Sequence, residues 1–278
     1  GTCLNEGCIP TKAFLHASAM ARAAEDAKSW GVTLTLQEVD WRQVLSKKNE
    51  IVKKLVQGVA YLLKQNKVEV IAGVARLTSP HTVRVEKSNG ESILLQAEKI
   101  ILACGSKPSF PGIPGLTAGP HVMTSSQALT MTALPDSMII LGGGVIGTEL
   151  AYAFQSFGCR VTILESMPSI RSTQDHEISS GLSDVLTKLG VELHVGTTVV
   201  GVSEEENGVR VRAEKDGVTQ EFFARSLLVA IGRKPRTEDM GLDEVGVQTE
   251  RGRILVNEYL ETTIPGIYAI GDCTGQTM

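Results

Sequence analysis

The stretch SMIILGGGVIGTEL, residues 137–150, decides the fold. Five residues with apolar character to both sides, 137–141, read as a strand buried on both faces. Gly142-x-Gly144-x-x-Gly147 follows at once, and then a helix runs through Ala151, Ala153 and Phe154 to Phe157. Each glycine has a separate physical task in such a turn. Gly142 permits the tight reversal, Gly144 lets a pyrophosphate approach the backbone, and Gly147 lets the helix close on the strand. The helix start offers unpaired N–H groups and positive potential to the phosphates. A second strand, 159–165, ends on Glu165. A carboxylate there accepts hydrogen bonds from adenosine ribose hydroxyls and repels a 2′-phosphate, which favours NAD over NADP. Arg171 is the nearest cation but falls six residues late. The remaining alternative is a unit of this kind with an empty or different nucleotide site.

Working outward, 176–189 reads as a helix, and 191–203, 208–214 and 218–223 as strand-like pieces. SLLVAIG, 226–232, is another apolar strand, and GIYAIGD, 266–272, closes a loop-rich stretch. Upstream, 7–27 predicts a helix with Ile9, Phe14, Leu15, Ala17 and Met20 roughly on one side, and 41–65 a longer one. VEVIAGVARL (68–77), HTVRVE (81–86) and SILLQA (92–97) predict strands, with Ser88-Asn89-Gly90 as a turn. KIILACGSKP, 99–108, runs into a glycine turn, and the proline- and glycine-rich 106–120 reads as a crossing linker.

The bulk numbers narrow the function classes. A chain of 278 residues with 42% hydrophobic composition can bury two ordinary cores. A net charge of −4 with both signs mixed does not favour nucleic acid or an anionic membrane surface. No apolar run approaches the ~20 residues of a membrane span. Five cysteines in a chain of this length are too few and too odd for a secreted disulfide framework. The expected compartment is soluble and reducing: bacterial cytoplasm, or an organelle matrix.

Cys3 and Cys8 stand in GTCLNEGCIPTK, residues 1–12. On a regular helix such a pair is ~8–9 Å apart between Cα atoms, and a disulfide wants less than about 7 Å. An uninterrupted helix therefore cannot carry a bridge; Asn5 and Gly7 allow the backbone to break, and Pro10 suits a first helical turn. Thiols at a helix start have lowered pKa, and Lys12 adds positive charge. Spacing alone leaves four readings open: a redox pair, two reduced core cysteines, a structural disulfide, or half a metal site with His16. Five-residue offsets suit zinc poorly, and no metal is expected.

These letters carry a resemblance. GTCLNEGCIPTKAFLH resembles the redox-active segment of the pyridine nucleotide–disulfide oxidoreductases, most of all the dihydrolipoamide dehydrogenase branch. Leu4-Asn5 and Ile9-Pro10-Thr11-Lys12 are the discriminating letters. Similar motifs follow in order along the whole chain: KIILACGSKP with Cys104 in place of threonine, LGGGVIGTELA with Glu149, VAIGRKP, and TTIPGIYAIGDC.

The resemblance implies an α/β fold of two Rossmann-like FAD/NAD(P)-binding domains, the NAD domain inserted into the FAD domain, with additional β-meander elements. The implied segments are an FAD-binding domain at 1–118, an NAD-binding domain at 119–237, and a return to the FAD or central domain at 238–278. It implies FAD and NAD as cofactors and electron transfer from dihydrolipoamide to NAD. Cys3 is then the interchange thiol and Cys8 the thiolate beside the flavin. Lys12 reaches the flavin and pairs with Glu149, and Asp272 holds the ribitol. Gly105 and Gly232 are the glycines of the two matching turns, and Gly142, Gly144, Gly147 and Glu165 hold the second nucleotide. Implied partners are a second copy of the chain and lipoyl-bearing proteins of 2-oxo acid dehydrogenase or glycine-cleavage systems. The first dinucleotide motif and a C-terminal interface domain with a His–Glu acid/base pair are expected outside these residues, so an isolated fragment is expected to be inactive. A glutathione-, mycothiol- or mercuric-type reductase, and a non-catalytic binding protein of the same fold, remain as alternatives. Cys104 reads as a small buried residue in place of threonine or as a third thiol near the flavin-domain turn, Cys159 and Cys273 as packing residues, and His81, His121, His176 and His194 as structural or solvated.

Overall fold

The structure is a computed structural model that describes residues 1–275; the end of the third expected segment, 276–278, lies outside the described residues. The chain divides into two compact units, Gly1–Val56 with Pro108–Gly232, and Gln57–Lys107 with Arg233–Met278.

The first unit is built on a five-stranded parallel sheet. Its spatial order is Val122–Thr124, Ser226–Val229, Ser137–Leu141, Arg160–Glu165 and Glu192–Val195. The central strands are apolar runs because both faces are covered. Alternation then decides which residue goes where. Met138 and Ile140 point to a layer of helices, joining Leu150, Ala151, Phe154, Phe14 and Trp41. Ile139 and Leu141 point the other way, onto Val209, Val211 and Ala213 of an antiparallel meander, Thr198–Glu205, Gly208–Lys215 and Val218–Ala224. One strand thus organises two cores, and each fully buried aliphatic side chain in it contributes about 1.5–3 kcal/mol.

Helix Cys8–Lys28 packs on helix Val145–Ser156 in this layer. Phe14, fully buried, is the bolt: its ring lies 5.1 Å from Trp41, 6.2 Å from Phe154 and 6.4 Å from Phe157. The buried face of this helix differs from the predicted apolar side. It runs through Pro10, Thr11, Phe14 and Ser18, while Met20 is 62% exposed. Two hydroxyl residues can be buried because each donates to its own helix backbone, Thr11 to the Gly7 carbonyl and Ser18 to that of Leu15.

The second unit holds the antiparallel meander Val74–Ser79, Thr82–Glu86 and Ser92–Gln96. The expected strand from residue 68 begins only at Val74. Val74 pairs with Glu86, the last residue of its partner, so residues before it have nothing to pair with. Strand Ile100–Leu102 lies parallel to Ile267–Ala269, with Leu102 opposite Ala269. Around them Leu77, Val247, Ile254 and Cys273 complete a small core. A 3-10 turn, Gly271–Thr274, follows the second strand.

Candidate functional site

The misfit of two cysteines on one helix is resolved by breaking the helix between them. Thr2–Glu6 forms a short helix, Gly7 leaves helical geometry at φ −144° and ψ −110°, and helix Cys8–Lys28 starts anew. The turn is tight: a Cβ on Gly7 would lie 3.2 Å from the Thr2 carbonyl oxygen and 3.3 Å from Cys3 Cα. The break brings the Cys3 and Cys8 Cα atoms to 4.6 Å, and their sulfurs are bonded. Both residues are exposed. Cys8 occupies the first position of a 21-residue helix whose start has no side-chain cap, so free N–H groups favour a thiolate there once the bond is reduced. His16 is exposed.

One turn beyond Cys8, Lys12 Nζ donates to Glu149 Oε1 at 2.6 Å. The pair lies on the two helices bolted by Phe14. Its strength is that of a surface pair, since Lys12 is 56% exposed. Its value is position: it ties the cysteine helix to the helix opened by the glycine loop.

In that loop the three glycines meet three different surroundings. Gly142 holds φ 102°, donates to the Leu164 carbonyl at 2.9 Å, and has the Ala230 carbonyl where a Cβ would go. A Cβ on Gly147 would overlap the Gly142 carbonyl oxygen. A Cβ on Gly144 would meet nothing within 4 Å. Two glycines are therefore needed by the protein itself, and the third keeps open a face of the helix start. Glu165 closes the arrangement, its Oε2 accepting from the Gly143 amide at 2.6 Å and its Oε1 from the Met167 amide at 2.8 Å. The backbone amide of Arg171 donates to the Gly143 carbonyl at 2.9 Å, so the residue that falls late in sequence lies beside the loop in space. An open backbone face, uncapped helix amides and a fixed carboxylate are the donor and acceptor set a dinucleotide needs. Gly232, at φ 120°, has open space around it in the same unit.

In the second unit Asp272 stands in the 3-10 turn after Gly271, whose Cβ position is open and whose φ is 71°. Its Oδ2 accepts from Ser106 Oγ at 2.5 Å. Arg233 Nε donates to the same hydroxyl at 2.7 Å and an Arg233 amino group donates to the Ser106 carbonyl at 2.9 Å. Ser106 is 1% exposed and follows Gly105, which takes φ 70°. A carboxylate held from behind, next to a glycine that lets a ligand approach, fits the hydroxyl-rich chain of a flavin. Ser106 and Arg233 are partners that sequence reasoning missed; their residue types alone give no sign of a shared hydroxyl. It also missed that Cys104 and Cys273 lie together in one small core.

The other cysteine and the histidines play other parts. Cys159 is fully buried, and burial, aided by Asp136, pushes its thiol up to about 12. His121 and His81 hydrogen-bond to backbone carbonyls of Arg225 and Ala97, and His194 to Glu192. Among the described residues no group of three or more candidate ligands could hold a metal ion, and no helix is long and apolar enough to cross a membrane.

Comparison with known proteins adds an independent line. The family model for pyridine nucleotide-disulphide oxidoreductases matches residues 1–278. The chain is 39% identical to a dihydrolipoyl dehydrogenase of Bacillus subtilis, over 99% of this chain and 60% of that protein. It is 38% identical to a dihydrolipoyl dehydrogenase of Acholeplasma laidlawii, over 100% of this chain and 81% of that protein. Among solved structures, the Cu(II) complex of the HOCl-induced flavoprotein disulfide reductase RclA from Escherichia coli superposes with a TM-score of 0.86 at 31% identity, covering 100% of this chain and 58% of that one. The chain thus spans about 60% of the length of most of the relatives it matches.

Proposed function

Because the chain belongs to the pyridine nucleotide-disulphide oxidoreductase family, we propose that it is the redox core of a dihydrolipoamide:NAD oxidoreductase. The observation that carries the reading is the exposed Cys3–Cys8 disulfide, joined through Lys12 and Glu149 to the helix that the glycine loop opens. The many relatives named dihydrolipoyl dehydrogenase support the substrate class.

A dithiol substrate enters by exchange. One substrate thiolate attacks Cys3 Sγ, the Cys3–Cys8 bond breaks, and Cys8 leaves as a thiolate stabilised by its helix start. The second substrate thiol attacks the sulfur joined to Cys3, releasing a cyclic disulfide and the Cys3 thiolate. Two substrate protons go to a base, which we assign to a His–Glu pair of a partner subunit. When bound, FAD supplies the two-electron relay between this dithiol and the nicotinamide. Lys12 carries a positive charge into that region, and Glu149 fixes its direction. Asp272 holds the flavin chain, Gly105 lies in the turn that admits it, and Gly232 lies in the turn that leaves the NAD-binding sheet. Gly142, Gly144, Gly147 and Glu165 hold NAD.

In this reading 1–118 and 238–278 belong to the FAD side and 119–237 to the NAD side. The full protein works as a homodimer in the cytoplasm or an organelle matrix, serving lipoyl-bearing proteins of 2-oxo acid dehydrogenase or glycine-cleavage systems. The disulfide reductase named among the structural neighbours keeps one alternative in play, the same chemistry on another disulfide; comparing turnover on lipoamide with turnover on glutathione disulfide separates the two. The test of the mechanism is anaerobic reduction of the full-length protein. A long-wavelength thiolate–flavin band is expected, lost in Cys8→Ser and kept in Cys3→Ser. Loss in Cys3→Ser with retention in Cys8→Ser would reverse the roles.

A further inference from the structure

The second unit places two free cysteines side by side, though they stand 169 residues apart in the chain. Cys104 lies just past strand Ile100–Leu102, and Cys273 lies in the 3-10 turn just past strand Ile267–Ala269. These strands run parallel and adjacent, so both chains leave the sheet at the same end. The Leu102 carbonyl accepts from the Ile270 amide at 3.0 Å and from Cys273 Sγ at 3.5 Å, which seats the Cys273 sulfur against the chain that leads into Cys104. Cys104 packs against the same small core as Cys273, and the Cys273 sulfur also donates to the Ile270 carbonyl at 3.2 Å; the two thiols are close enough to shift one another's titration. Cys273 is fully buried, while Cys104 is partly exposed.

We propose that Cys104 and Cys273 form a second dithiol site, separate from Cys3–Cys8, which a peroxide closes into a disulfide. Cys104 meets the oxidant because it reaches solvent, and Cys273 is the buried resolving partner. The Cys104 sulfur attacks a peroxide oxygen, the O–O bond breaks, and a sulfenic acid and water form. Cys273 Sγ then attacks the Cys104 sulfur, the S–O bond breaks, and a second water leaves. The two thiols lose two electrons and two protons, and both appear in the two waters made from hydrogen peroxide. Closure needs the two sulfurs to turn toward each other to a bond of about 2.05 Å.

The contact with Cys273, then burial, holds the Cys104 thiol up, and the same contact draws Cys273 down. In the resting pair the charge therefore lies on the Cys273 sulfur, and Cys104 passes its proton to Cys273 as it attacks the peroxide. The guanidinium of Arg236 is the cation facing Cys104. Closure would covalently join the segment carrying Ser106 to the turn carrying Asp272, two residues already linked by a hydrogen bond.

The experiment uses the full-length protein as purified. It is treated with hydrogen peroxide, quenched with catalase, alkylated under denaturing conditions and mapped by mass spectrometry without reduction. The expected result is a Cys104–Cys273 linked peptide, loss of two alkylatable thiols per chain, and their return with dithiothreitol, while Cys159 stays alkylatable throughout. Cys273→Ala is expected to stop at the sulfenic acid, so that dimedone labels Cys104 in the variant and not in the native protein. Full alkylation of both cysteines after oxidation overturns the proposal, as does Cys104 recovered as sulfinic or sulfonic acid or joined to another chain. Should the variant not fold, the native peptide map decides alone.

Discussion

Replacing Gly147 by alanine places the Cβ on the Gly142 carbonyl oxygen and 3.3 Å from Ile140 Cγ2. That oxygen cannot step aside like a side chain. Its residue is fixed by φ 102° and by the hydrogen bond from its amide to Leu164. Alanine gains about 1 kcal/mol of helix propensity over glycine. Overpacking against a rigid neighbour costs typically 1–3 kcal/mol and sometimes more. With backbone as the obstacle the upper end applies, and the net loss is about 2 kcal/mol. For a unit of this size that lowers Tm by roughly 4–8 °C. Gly144→Ala is the matched control, because its φ of −73° suits alanine and its Cβ meets nothing within 4 Å. Its stability should stay within about 0.5 kcal/mol, while affinity for NADH drops because the methyl group occupies the phosphate approach. Calorimetric unfolding and titration with NADH on the full-length protein measure both. An unchanged or raised Tm for Gly147→Ala refutes the packing argument, and equal losses of Tm in the two variants refute the separation of roles.

Lys12→Met removes an exposed ion pair and should cost no more than about 1 kcal/mol in urea unfolding, yet lower turnover tenfold or more, about 1.4 kcal/mol of barrier. A large stability loss with unchanged turnover would make the pair structural. Glu238 is held down to about 2, first by the hydrogen bond from Lys107 and then by its own backbone amide, with Lys234 contributing less. Its pKa is depressed on folding, so the stabilisation is present above the usual carboxylate value and vanishes as pH falls toward 2. Because water screens these groups, Glu238→Gln should destabilise by only about 0.5–1 kcal/mol at pH 7 and by nothing near pH 2; equal losses at both pH values would contradict the assignment. Cys159, with its thiol near 12, should not react with an aromatic disulfide reagent in the native protein at pH 8. Its labelling before unfolding would show that the core around it opens.

The elements that could be read from sequence were those whose pattern is local. Helix His176–Leu189 shows its apolar period, an Asp175 cap that accepts from the Glu177 amide, and a left-handed Gly190 at its end. Strand Ser137–Leu141 and the loop after it follow from one apolar run and three glycines. The backbone break at Gly7 follows from the cysteine spacing once a bridge is granted, because a bridge is impossible on a straight helix; the spacing itself left the bridge open. The Lys12–Glu149 pair was legible only through the family resemblance, since nothing local connects the two residues. What stayed hidden depends on which strand lies beside which. Cys104 meets Cys273, and Ser106 meets Asp272, because Ile100–Leu102 pairs with Ile267–Ala269. The meander strand stops at Val74 because its partner ends at Glu86. Neither fact is written in the segments themselves.

The parallel pairing of Ile100–Leu102 with Ile267–Ala269 also orders events during synthesis. Strand Ile100–Leu102 leaves the ribosome first, and its neighbour does not exist until 164 further residues, 103–266, have been made. Within that interval residues 108–232 contain a complete parallel sheet and its meander. Once these are folded, the long loop becomes a compact spacer, and the entropy of bringing its ends together falls. The growing chain therefore carries an unpaired strand that waits on Ile267–Ala269 for its partner. Any pause between residues 102 and 267 lengthens the time that this edge is open to pairing with another chain.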